Sequence, residues 1–124
     1  MTDRIQPTRD YEIACLCGSW KYKDRIDQLR EELTLRGMVV LSFDVKRTVE
    51  EYVLVPNPLP GEEPEVIVSP RSDEELAILD TVHRRKIELA DIVYICVPDN
   101  YIGDGTLAET NYAISIGKRV FLIR

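Results

Sequence analysis

This sequence predicts a three-layer α/β domain with a parallel sheet of about four strands, on three observations. Short, nearly continuous apolar runs alternate with charged stretches of helical period, the rhythm of β-α-β units whose strands are buried on both faces. Glycine, serine or proline stands at the ends of these runs, where strand gives way to helix or loop. The chain has 124 residues, 44% of them hydrophobic and 31% charged, the length and composition of an ordinary globular domain that buries its core without disulfides or metal. A single domain over residues 1–124 is therefore expected.

Residues 12–17 form the first apolar run, ended by Gly18 and Ser19, and read as a buried strand. Over residues 21–36, Ile26, Leu29 and Leu33 recur at helical spacing among charges, and Gly37 stands where a left-handed cap is expected, so this is the first helix. Residues 38–43 make a second strand, parallel to the first through a right-handed crossover. Residues 44–71 break the rhythm with Pro56, Pro58, Pro60, Pro64 and Pro70, and read as a long, partly extended excursion. Ser72 and Glu75 have capping-box spacing, and Leu76, Leu79, His83, Ile87 and Ala90 share one stripe of a second helix over residues 73–89. Residues 91–97 are a third strand, residues 106–116 a third helix stopped by Gly117, and residues 119–123 a fourth strand. The simplest strand order is 2-1-3-4, a Rossmann- or flavodoxin-like sheet that reverses winding between its first and third strands.

Composition narrows the function. With 22 acidic and 16 basic residues the net charge is −6, which argues against a surface built for a nucleic-acid polymer but leaves room for a small anion in a local pocket. No apolar run approaches the roughly 20 residues of a bilayer span, and residues 1–10 are polar without a signal-peptide core. No membrane partner and a cytoplasmic setting are expected. Cys15, Cys17 and Cys96 all lie in apolar runs and read as reduced, buried small hydrophobes. The Cys15-x-Cys17 pair lacks the spacing of a zinc knuckle or thioredoxin motif, so no metal and no cofactor is expected.

The switch point of the sheet brings together the loops after the first and third strands, and both carry chemistry. The first, Gly18-Ser19-Trp20-Lys21, combines free backbone N–H groups, a hydroxyl and an ammonium at a helix start, a seat for an anion, with Trp20 able to stack on a base. A plain turn with an N-cap explains the same residues. It lacks P-loop and dinucleotide-fingerprint spacing. The second loop leads into Asp104-Gly105-Thr106, and Thr106 with Glu109 has capping-box spacing, so Glu109 either caps the third helix or, in register with Ala113 and Ile116, turns its carboxylate to the switch point as nucleophile or general base. Asp104 is a second acid nearby. His83, on the apolar stripe, is a packed core histidine or an acid–base partner.

The run from Tyr101 to the carboxyl end, with its G-T-x-x-E at Gly105, Thr106 and Glu109 and a G-K-x-V at Gly117, Lys118 and Val120, together with the strand ending in Gly18-Ser19-Trp20, resembles the nucleoside 2-deoxyribosyltransferase superfamily. The resemblance covers the first strand with its loop and everything from about residue 79 onward; residues 45–75 lie outside it. It implies that Glu109 attacks the anomeric carbon of the sugar, the base leaves, and water or a second base resolves a covalent intermediate. It implies a sugar-binding acid at Asp104, one position from the commonest register, and His83 where the transferases carry the acid that helps protonate the departing base. Gly18, Ser19, Trp20, Lys21, Gly105 and Thr106 would bind substrate. Family members are homo-oligomers, a dimer or larger, and the transferases extend past the last strand. A chain stopping at Arg124 therefore turns the expectation toward the related deoxynucleoside-monophosphate N-hydrolases. The reading expected is cleavage or transfer at the N-glycosidic bond of a (deoxy)nucleoside or its 5′-monophosphate. The alternatives are a non-catalytic nucleotide-binding module in signalling or defence, and an interaction protein working through the proline-rich excursion.

Overall fold

The computed structural model describes residues 9–43 and 45–124; the polar residues before Arg9, and Asp44 at the start of the expected excursion, lie outside the described residues. The chain forms two compact units, one running to Phe43 and resuming over His83–Arg124, the other ending at Val82.

The first unit holds a parallel four-stranded sheet. Its strands are β1 (Ile13–Gly18), β2 (Val39–Ser42), β5 (Ile92–Cys96) and β6 (Arg119–Ile123), in the order β2-β1-β5-β6. This is the expected 2-1-3-4 arrangement, because two more strands intervene in the chain. β1 pairs with β2 from Ile13↔Val39 and with β5 as far as Gly18↔Cys96, so both strands reach the carboxyl edge together. The two-residue period of β1 sorts its side chains between the faces. Ala14 and Leu16 join Ile26, Leu29 and Leu33 of α1 (Lys23–Leu35), whereas Cys15 and Cys17 join Val93 and Ile95 of β5, Ile87 of α2 (Asp73–Leu89) and Ala113 of α3 (Asp104–Ser115). The layers are thus α1, sheet, and α3 with the last turns of α2. The helix-one boundary sits later than the spacing suggested, because Trp20–Tyr22 first makes a 3-10 turn. Among the described residues, no helix is long and apolar enough to cross a membrane.

The second unit holds the residues read as an excursion. They form an antiparallel hairpin, β3 (Thr48–Val53) with β4 (Glu65–Pro70), in register from Thr48↔Pro70 to Val53↔Glu65. The prolines that suggested irregular chain fall between the strands or at the last residue of β4, where a ladder loses nothing essential. Pro60 and Gly61 occupy the centre of a turn closed by the Glu62 N–H donating to the Leu59 carbonyl at 2.9 Å; Gly61 has φ +87°, the left-handed conformation a type II turn requires. The Arg71 N–H donates to the Arg47 carbonyl at 3.0 Å and ties the base of the hairpin. At the start of α2, Ser72 Oγ accepts from the Glu75 N–H at 3.1 Å, as the capping pattern predicts.

Candidate functional site

The carboxyl ends of β1 and β5 carry the residues with chemical character. Gly18 is in close contact with its neighbour strand: a Cβ there would sit 3.2 Å from the Cβ of Cys96 and from Cδ1 of Ile26, and 3.3 Å from the Cys96 carbonyl oxygen. The glycine lets the chain turn directly off the strand edge. Ser19 then caps the 3-10 turn, its Oγ accepting from the Lys21 N–H at 3.4 Å. Trp20 packs on Phe43 at 5.8 Å between ring centres, and Phe43 presents its ring to His83 at 6.2 Å, an aromatic wall beside the imidazole. The Lys21 ammonium stands over the Tyr101 ring at 4.0 Å and the Tyr22 ring at 4.9 Å, so this exposed cation belongs to the loop after β5 as well.

α2 and α3 deliver the acid–base pair. His83, buried on the stripe of α2, points Nε2 at Oε2 of Glu109 across 3.4 Å. The carboxylate of Glu109 retains partial exposure, so one side of the pair faces the imidazole and the other faces solvent. Burial pulls the His83 pKa down, but the hydrogen bond and the negative charge of Glu109 outweigh it, and the net direction is up from 6.5. The second ring nitrogen, Nδ1, is buried with no hydrogen-bond partner among the described residues.

Two expectations about Glu109 are revised. The helix begins at Asp104, its N-cap is Gly103 with no side-chain cap, and Thr106 lies inside the first turn as a buried residue whose carbonyl accepts from the Thr110 hydroxyl at 2.8 Å. Thr106 therefore cannot cap the helix, and the capping-box account of Glu109 falls with it. Asp104 is not brought to the pair: five positions at 100° each place it about 140° around the helix axis from Glu109, and it is exposed. Gly105 is exposed as well, with open space where a Cβ would be. Gly105 and Thr106 contribute their backbone N–H groups to the uncapped start of α3, which faces the same edge of the sheet.

Cys15 and Cys17, expected as buried small hydrophobes with no metal role, are buried and free and lie beside the pair. The Cys17 Sγ lies 3.2 Å from His83 Nε2, the same nitrogen that faces Glu109. The donor atoms of Cys15, Cys17 and His83 lie within 4.8 Å of one another, and all three residues are buried. The hydrogen bond to Cys15, then burial, push the Cys17 thiol well above its ordinary value, so it is no ready thiolate nucleophile. Nor is this a Cys-His-acid triad, which would place thiol and carboxylate on opposite ring nitrogens. The available signal was the strand period: residues two apart in β1 share a face, and the stripe of α2 that carries His83 packs on that face. All three cysteines are free, and Cys96 lies on the α1 side.

An open depression of about 410 Å3 lies at the other end of the sheet, lined by Arg9, Tyr11, Glu12, Arg36 and Met38 among others. It gathers no acid–base pair, and chemistry rather than volume marks the site. No family model, curated protein or solved structure matches the chain.

Proposed function

We propose that the protein cleaves or transfers at the N-glycosidic bond of a (deoxy)nucleoside or its 5′-monophosphate, with Glu109 as nucleophile. The observation that carries this reading is the 3.4 Å contact between Glu109 and His83 beside the carboxyl ends of β1 and β5. A carboxylate open to solvent on one side and held by an imidazole on the other suits attack at an anomeric carbon. In the first step a Glu109 oxygen bonds to C1′ as the C1′–N bond breaks, and the departing base takes a proton from His83 Nε2. In the second, water or another base attacks C1′, the ester to Glu109 breaks, and His83 recovers a proton from the incoming nucleophile. Two displacements retain configuration. Trp20 and Phe43 supply a surface for a flat base, and the N–H groups of Gly105 and Thr106, with Ser19 and Lys21, supply donors for a sugar or phosphate. The reading keeps a small-molecule partner, a homo-oligomer and a cytoplasmic setting.

The test is chromatographic detection of free base from ribo- and deoxyribonucleosides and their 5′-monophosphates, with and without an acceptor base. Glu109→Gln should lower release at least ~10³-fold with an unchanged melting temperature. Release that survives the substitution sinks the assignment. A wild-type chain that binds a nucleotide and releases nothing is a binding module instead.

A further inference from the structure

We propose that Cys15, Cys17 and His83, with Glu109 as fourth ligand, form a tetrahedral site for a thiophilic divalent cation of the zinc class. The thiols of Cys15 and Cys17 on β1 and a ring nitrogen of His83 on α2 lie within 4.8 Å of one another, and Cys17 Sγ and a Glu109 oxygen from α3 both approach His83 Nε2. Ile87, Val93 and Ile95 share the layer with the two thiols, where isolated polar atoms are costly unless paired. A single Nε2 hydrogen cannot serve both Cys17 and Glu109, and although the two thiols hydrogen-bond each other, a cation would hold both sulfurs, the imidazole nitrogen and the carboxylate oxygen at one centre.

Distance makes the same point. Around a tetrahedral zinc with Zn–S near 2.3 Å and Zn–N or Zn–O near 2.05 Å, the sulfur–nitrogen edge is about 3.6 Å and the nitrogen–oxygen edge about 3.3 Å. The corresponding separations here are 3.2 Å for Cys17 Sγ to His83 Nε2 and 3.4 Å for His83 Nε2 to Glu109 Oε2. These two edges match the tetrahedron to within a few tenths of an ångström, and drawing Cys15 in from its place in the 4.8 Å cluster completes the polyhedron. Two soft sulfurs and an imidazole select zinc, cadmium or cobalt over magnesium or calcium, which demand oxygen. Each ligating thiol releases its proton to solvent on binding. Because Glu109 and His83 Nε2 are both ligands, a bound cation would withhold the nucleophile and the proton donor of the proposed glycosidic step, so the two uses of the site are mutually exclusive.

The probe is cobalt(II), added to the full chain after stripping with a chelator under reducing conditions, followed by displacement with zinc. Expected are one cobalt per chain, a thiolate-to-cobalt charge-transfer band, and the strong visible bands of tetrahedral cobalt. Cys15→Ser, Cys17→Ser and His83→Gln should each weaken binding at least ~100-fold, and Glu109→Gln by less, since three ligands remain. Cys96→Ser, on the opposite face of the sheet, should leave the spectrum unchanged. Absence of the charge-transfer band, a weak octahedral spectrum, or a band lost in Cys96→Ser overturns the proposal. Should a ligand variant fail to fold, the wild-type and Cys96→Ser spectra still decide it. These readouts involve no base release, so a failed metal site and a failed glycosidic reading are told apart.

Discussion

The two ends of the four-stranded sheet treat their polar groups in opposite ways. At the amino end, Asp91 accepts from the Ile13 N–H at 2.8 Å and from Arg9 at 2.7 Å, its own N–H donates to the Ile13 carbonyl at 2.7 Å, and Arg119 pairs with Glu12 at 2.7 Å. Each of these donors has its own acceptor, and the bonds hold the strands in register. At the carboxyl end, one imidazole nitrogen is shared by a carboxylate and a thiol while the other has no partner among the described residues. Buried polar groups in native proteins are normally satisfied, and the exceptions gather where a group is kept for chemistry. The contrast is the structural support for placing the proposed site at the carboxyl end.

Breaking the satisfied end should cost the most stability. Asp91→Ala strands the part-buried Ile13 N–H and returns the Arg9 guanidinium to water, and unfolding in urea at neutral pH should show a loss of about 1–3 kcal/mol, with any base release from the distant end preserved. The pH dependence follows from the direction of the pKa. The Ile13 N–H, then Arg9, hold the Asp91 carboxyl below its ordinary 3.8. Its contribution is therefore fully present above pH 3.8 and is lost as pH falls through the lower folded value. The gap between wild type and variant should close on acidification, and a gap constant with pH would refute the carboxylate's role.

Gly18→Ala probes the border between strand and site. The added Cβ meets Cys96 and Ile26 at 3.2 Å and the Cys96 carbonyl at 3.3 Å, and backbone cannot step aside as a flexible side chain can. A loss of about 1–2 kcal/mol is expected from overpacking. Full stability in this variant, measured by thermal melting, would mean that the turn out of β1 is looser than the structure describes.

The two central strands were legible in the sequence for a physical reason: a parallel strand buried on both faces must be apolar throughout, and residues 12–17 and 91–97 are nearly so, while residues 119–123 are largely apolar at an edge that stays half-exposed. The hairpin was not legible, since β4 is exposed along its whole length and leaves no alternation to read, while its prolines mimic loop. At the site, Glu109 and His83 were recognisable by helical register, but their 3.4 Å meeting depends on how α2 and α3 pack on one face. Asp104 looked close in sequence and is turned away by the pitch of the helix. Cys15 and Cys17 read as inert because their spacing is not that of a zinc knuckle, yet alternation along β1 turns both to one face, where they meet His83.

The smallest stability effect sharpens the comparison most. His83→Leu, measured on metal-stripped protein, removes an imidazole whose Nδ1 is buried without a partner and puts an apolar side chain into a layer of Ile87, Val93 and Ile95. Glu109, still partly exposed, exchanges the imidazole for water. Replacing an under-satisfied buried polar group by an apolar one is neutral to stabilising, so urea unfolding should show no loss and a gain of up to about 1 kcal/mol. Base release should fall in the same variant, because the group that offers the departing base its proton is gone. A variant destabilised by more than 1 kcal/mol would show that His83 serves the fold as Asp91 does, and the distinction between the two ends would disappear.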